Sequence, residues 1–172
     1  MDLRFIAPDL RQIDTVGAEV LACGVFSDQL PPRGVLGLVD WRMAARLSRH
    51  LESGEIGGRL GEVVLIPGKP RIPFEKLLLF GAGSAQAFDE TAYLQVIARM
   101  LQALDGLKVR LAVVERPGRE LRTIDAARAA ELLLRTCSDQ GGQDVWTLIE
   151  SPDDQKAMSQ HLAEERRRKR MR

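Results

Sequence analysis

Two glycine-rich stretches hold the residues best suited to chemistry. Gly81-Ala82-Gly83-Ser84 follows the apolar run Leu77-Leu78-Leu79-Phe80. That run reads as a short strand buried on both faces, ending in a loop at the C-terminal edge of a sheet. Loops of this kind present backbone N–H groups to phosphates when a helix follows directly. The chemistry would be nucleotide binding, with Gly81 and Gly83 bringing the backbone close and Ser84 adding the one side-chain contact. The stretch begins like a dinucleotide fingerprint but lacks its third glycine, and the next helix opens only near Asp89, whose charge repels an anion. The ordinary reading is a tight exit loop. Gly57-Gly58-Arg59-Leu60-Gly61 would cradle an anion beside Arg59, or serve as a plain connector whose glycines supply turn freedom.

The other reactive side chains are scattered. His50 sits late in a helix, where a cationic group suits the dipole, and His161 lies in a thinly apolar helix that leaves it solvated. Neither has a Ser, Cys or Asp neighbour suggesting a triad. Asp139, Asp144, Asp153 and Asp154 show no pairing for metal or acid–base work. Cys23 and Cys137 fall in apolar runs and read as buried, reduced thiols. No ligand-spaced pair points to a zinc site, and no cofactor is expected.

The chain's end is a feature of its own. Arg166-Arg167-Arg168-Lys169-Arg170-Met171-Arg172 carries six positive charges; without them 19 basic residues face 24 acidic ones, so the body is near −5 although the whole is +1. Such a tail would bind nucleic acid or an acidic partner with steep salt dependence, through Arg166, Arg167, Arg168, Lys169 and Arg170. No aromatic residue interleaves for base stacking, and a solvated helix end with cations at its C-terminus is the favoured reading.

These residues need a scaffold. The chain has 172 residues, 45% hydrophobic and 28% charged, the composition of one ordinary globular domain. The expected division is one domain over residues 1–165 and a basic tail over 166–172. No apolar run is long enough to cross a bilayer, and the start lacks a signal peptide's pattern, so a cytoplasmic protein without membrane contact is expected. Strands are expected over residues 3–7, 19–26, 62–67, 76–81, 108–115 and 144–150. Helices are expected over 37–53, 89–105 and 123–139, with a last one opened by Ser151-Pro152-Asp153-Asp154. Residues 9–15 carry too little pattern to assign. Asp40 is the expected N-cap of the helix 37–53, with Trp41, Ala44, Leu47 and Leu51 on its apolar face. Gly54, Gly106 and Gly141-Gly142 are the expected helix stops. The connection 67–73 is too short for a crossover helix, so strands 62–67 and 76–81 should pair as an antiparallel hairpin. Strand–helix alternation after residue 76 predicts an α/β domain with a mixed, mostly parallel sheet.

Residues 16–90 resemble the N-terminal domain of the leucine aminopeptidase (M17 peptidase) family. The apolar strand 19–26, the helix 37–51 with the link Gly57-Gly58-Arg59-Leu60-Gly61-Glu62, the strand 63–67 and Lys76-Leu77-Leu78-Leu79-Phe80-Gly81-Ala82-Gly83 carry the likeness. The resemblance implies a macro-domain-like three-layer α/β/α sandwich. It also implies a non-catalytic role, because in that family Lys, Asp and Glu residues of a following domain hold two metal ions. The family's Asn-Thr-Asp-Ala-Glu-Gly-Arg motif does not occur here, so no catalytic residue carries over. The function this implies is protein–protein contact: self-association, or assembly or regulation of a partner such as an aminopeptidase. An ADP-ribose or nucleotide-binding module using Gly81, Gly83 and Ser84 is the alternative, and nucleic-acid binding by the tail a weaker one.

Overall fold

The computed structural model describes residues 2–140 and 145–170. Among them are six strands, β1 (Asp2–Ile6), β2 (Val20–Val25), β3 (Val63–Pro67), β4 (Lys76–Gly81), β5 (Leu111–Glu115) and β6 (Val145–Ile149). They form one sheet in the order β1-β6-β5-β2-β4-β3. All neighbours are parallel except β3, which pairs antiparallel with β4, Val63 opposite Phe80 and Pro67 opposite Lys76. The hairpin expected from the short connection is there.

Side-chain alternation along the interior strands sorts the core into two layers. Val20, Ala22, Leu78, Phe80, Val114 and Trp146 face α4 (Glu90–Gly106), α5 (Ala126–Gln140) and α6 (Pro152–Arg170). Leu21, Cys23, Leu77, Leu79, Val113 and Ile149 face α1 (Leu10–Thr15), α2 (Gly34–Arg42) and α3 (Arg46–Glu52). This is the three-layer α/β/α sandwich with a mixed, mostly parallel sheet. Helix α4 shows why the pattern works: Tyr93, Val96, Ile97, Met100, Leu101 and Leu104 recur at helical spacing and are all buried, and Asp89 caps the first turn by accepting Ala92 N–H at 2.8 Å.

Several boundaries differ from the sequence expectation, each for a local reason. Residues 10–15 do form a helix, capped by Asp9, which accepts Gln12 N–H at 2.9 Å. The helix expected over 37–53 is two helices. Ala44 and Ala45 are left-handed (φ 56° and 58°), and the buried carboxylate of Asp40 reaches forward to accept the N–H groups of Leu47 at 2.8 Å and Ser48 at 3.1 Å. Asp40 is therefore a cap, but of α3 rather than of its own helix. Trp41 is 74% exposed instead of lining the core. Gly54 is left-handed after α3 as expected, whereas α4 runs through Gly106 and the left-handed residue is Lys108 (φ 57°), which delays β5 to Leu111. Helix α5 starts at Ala126 rather than Thr123, because Asp125 accepts the Arg128 N–H at 2.9 Å. The turn 141–142 and Asp144 lie outside the described residues, as do Met171, Arg172 and the side chains of Asp139, Arg166, Lys169 and Arg170.

Candidate functional site

The two glycine stretches meet at the C-terminal edge of the sheet. Gly83 N–H donates to Gly58 O, and Ser27 N–H donates to Gly83 O, both at 2.9 Å. Gly81 N–H donates to Glu62 O and Ala82 N–H to Val25 O, again at 2.9 Å. The loop after β4 is thus stitched to the 57–62 link and to the end of β2. A Cβ on Gly81 would sit 1.9 Å from Arg59 O, and one on Gly58, already at φ 64°, would sit 2.7 Å from the Phe26 carbonyl carbon. These glycines permit backbone to lie on backbone; they do not leave room for a ligand there.

The amide groups that would hold an anion are occupied by the chain's own carboxylates. Ala85 N–H donates to Asp28 at 2.7 Å and the Ser84 hydroxyl to the other Asp28 oxygen at 2.5 Å. The Ser84 hydroxyl, then the Ala85 amide, hold Asp28 below the usual carboxylate range. Gly57 N–H and Arg59 N–H donate to Glu62, at 3.1 and 3.2 Å to one oxygen.

A third carboxylate sits where the chain's direction of travel along the sheet reverses, between β2 and β5. In open α/β sheets that crevice is where ligands bind. Here Glu115, at the end of β5, accepts the Val35 N–H at the start of α2 at 3.0 Å. Its carboxyl is pushed up to about 7, by burial above all, against the lowering effect of that N–H and of Arg119. Arg119 pairs with Glu120 and lies 3.5 Å from Glu115; its Nε is buried without a partner among the described residues. Behind them Arg116 donates to Glu150 at 2.6 and 3.3 Å and to Ile124 O at 3.1 Å. Cys23 lies beneath, its thiol raised by burial first and then by Glu115. The space left among Gly24, Pro32, Arg33, Glu115 and Arg119 is about 30 Å³, room for ordered water but not for a nucleotide.

Sequence reasoning missed Asp28, Glu115, Arg116 and Arg119. The available signal was Glu115-Arg116 closing an apolar strand just before the turn Pro117-Gly118. Among the described residues the basic tail does not join this site. Helix α6 runs 19 residues from the end of β6, about 28 Å at 1.5 Å per residue. Arg167 consequently lines a groove with Asp2, Leu3 and Phe5 at the opposite edge of the sheet, and Arg168 donates to Glu165 at 3.2 Å. His50 Nδ1 pairs with Glu55. His161 is partly buried and its Nε2, shut off from water, has no partner among the described residues, so the solvated reading is corrected. No described helix is long and apolar enough to cross a membrane.

This sheet order with helices on both faces defines a macro-domain-like α/β/α fold, and solved structures share it. The Oceanobacillus iheyensis macrodomain with ADP superposes with TM-score 0.73 at 14% identity, covering 96% of this chain and 92% of that one. The Mycobacterium tuberculosis DarG macrodomain gives 0.66 at 14%, covering 87% and 98%. Tomato leucine aminopeptidase gives 0.60 at 13%, covering 94% of this chain and 35% of the enzyme. Residues 22–139 match the N-terminal domain of the cytosol aminopeptidase family, and the chain belongs to that family. The cytosol aminopeptidase of Pseudomonas aeruginosa is 28% identical over 101 residues, 59% of this chain and 20% of the enzyme. The probable cytosol aminopeptidase of Idiomarina loihiensis is 36% identical over 87 residues, 49% and 17% respectively. The matched region is about a fifth of the length of these relatives.

Proposed function

We propose that this chain is a non-catalytic module of the cytosol aminopeptidase family that acts in the cytoplasm through protein–protein contact, by self-association or by assembling or regulating a partner such as an aminopeptidase. The observation that carries the reading is the closed crevice. Glu115 accepts the Val35 N–H in the first turn of α2, and about 30 Å³ remains, where a small-molecule pocket takes roughly 300 Å³ or more. Asp28 and Glu62 fill the neighbouring amide nests. A bound nucleotide would have to displace all three carboxyl groups from the amides they fill.

The fold likeness to macrodomains, one of them solved with ADP, supplies the alternative: a nucleotide or ADP-ribose binder using Gly81, Gly83 and Ser84. Calorimetric titration with ADP-ribose separates the two. Contact by protein surface predicts a flat trace at millimolar ligand, together with a mass increase by light scattering when the chain is mixed with a purified cytosol aminopeptidase or concentrated alone. Micromolar ADP-ribose binding that Ser84→Asp abolishes would overturn the reading. Nucleic-acid binding through residues 166–172 is less favoured, and predicts a salt-sensitive gel shift lost on their deletion.

A further inference from the structure

Helix α6 covers more ground than the sheet beneath it. Met158 is fully buried and seats the helix on the core, while Ser159, Leu162, Ala163 and Arg167 recur at helical spacing on a neighbouring stripe. That stripe faces β1, the last strand in the sheet order, across a groove of about 460 Å³ floored by Leu3 and Phe5. Leu3, Phe5 and Leu162 are only half-buried there. The edge of β1 is open at the same two residues. Ile6 O accepts the Glu150 N–H at 3.0 Å, so Asp2, Arg4 and Ile6 turn their main-chain groups toward β6, and Leu3 and Phe5 turn theirs outward. Ala7, the next residue in the outward row, is closed by the Gln12 side chain and the Asp9 amide. Leu3 and Phe5 have no such closure among the described residues.

We infer that this edge takes an extended segment of a partner protein as an added antiparallel strand, its apolar side chains in the groove and acidic residues following them at the groove's basic end. The inference rests on the contact reading proposed above and names its surface and the chemistry of its partner. Hydrogen bonding sets the mode. A strand laid about 4.8 Å beyond β1 meets two N–H and two C=O groups, on Leu3 and Phe5, and every second side chain falls between β1 and the α6 stripe. Direction follows from the fold. Helix α6 starts after β6, which is parallel to β1, and returns along the sheet, so Arg167 shares the groove's end with Asp2 at the start of β1. An antiparallel segment leaves the groove at that end, and antiparallel pairing is the more stable per residue. Charge sets the partner. Residues 166–170 are five consecutive cations preceded by two acids, Glu164 and Glu165. Arg168 takes Glu165 at 3.2 Å, and Arg167 pairs with no carboxylate among the described residues. Asp2 is held by Arg4 at 3.6 Å. The same charge disfavours a second copy: β1 paired with its own image about a two-fold axis would bring two basic helix ends together.

Fluorescence anisotropy with the full chain and a fluorescein-labelled synthetic peptide, Ser-Val-Thr-Val-Thr-Glu-Asp-Glu, tests this. The peptide should bind with a dissociation constant of about 10–100 μM, and a version ending in three lysines at least tenfold more weakly. N-methylation of one alternate set of its amides should abolish binding, and of the other set leave it unchanged, because only one row faces β1. Ala163→Trp, at an exposed position, fills the groove and should weaken binding at least tenfold; Arg167→Glu should weaken it about fivefold. No anisotropy change up to about 500 μM protein, equal binding of the acidic and lysine peptides, or indifference to N-methylation overturns the inference. So does a chain that sedimentation shows to be dimeric alone and that Ala163→Trp returns to monomer, since a second copy then holds the groove. None of these results touches the broader contact reading, which fails separately through ADP-ribose binding.

Discussion

Glu115 is buried, accepts an N–H at the start of α2 and faces both Arg119 and Glu120. Burial wins over these polar partners and sets its carboxyl at about 7. The fold therefore favours the protonated form. At low pH both folded and unfolded chains are protonated there and the group is neutral to stability. As pH rises from the ordinary carboxylate range toward 7 the unfolded chain releases its proton first, so stability falls, and above 7 the penalty is complete at roughly 3 kcal/mol or less. Glu115→Gln keeps an acceptor for Val35 N–H and removes the titration. Urea unfolding should find it within about 1 kcal/mol of wild type near pH 5 and more stable by about 1–3 kcal/mol near pH 8. A variant less stable than wild type at both pH values would mean that the charge is worth more at the helix N-terminus than its burial costs. Two glycines make a second contrast. Gly81→Ala drives a Cβ to 1.9 Å from Arg59 O, and the strand end must part from the link, at a cost of about 3 kcal/mol. Gly106, in the last turn of α4, has nothing within 4 Å of its would-be Cβ, and Gly106→Ala should stabilise by about 0.5–1 kcal/mol in the same assay.

The break between α2 and α3 depends on one side chain. Asp40 takes two N–H groups of α3 and the Ser48 hydroxyl while itself buried in α2. Asp40→Ala should cost about 2 kcal/mol, as loss of a buried cap does. Hydrogen exchange should accelerate most over residues 46–52, and an unchanged pattern there would remove the capping account. The same element marks the limit of sequence reading. Strands 20–25, 63–67 and 76–81 and helix α4 were legible because period and composition are local properties of the chain. The split was not, since Ala44 and Ala45 favour helix intrinsically and leave it only because Asp40 reaches seven residues ahead. The site divides the same way. Glycine loops could be read as loops from residues 57–61 and 81–84, but Asp28 comes from 56 positions before Ser84 and Glu115 from 80 beyond Val35. Only the folded sheet brings those carboxylates to the amides they fill.

The sheet joins both core layers, and one buried ion pair ties its middle to its far side. Arg116 and Glu150 follow directly on β5 and β6, and their side chains are 5% and 0% exposed. Arg116 also donates to Ile124 O ahead of α5 and lies 4.0 Å from Asp154 in the first turn of α6. Four elements therefore converge on one guanidinium. Removing one partner strands the other charge away from water, so Arg116→Met and Glu150→Leu should each cost about 3–5 kcal/mol. The double variant leaves neither charge unpaired and should recover to within about 1–2 kcal/mol of wild type, because desolvation cancels much of the pair's attraction. The site's position decides how the loss is distributed. Trp146 and Leu148 belong to one core layer and Ile149 to the other, so weakening β6 loosens both together. Unfolding followed by Trp146 emission, in a Trp41→Phe background, should coincide with unfolding followed by far-ultraviolet circular dichroism in every variant. Separated transitions, or a double variant as unstable as the single ones, would instead assign the pair a local role in holding α5 and α6 against the strand ends.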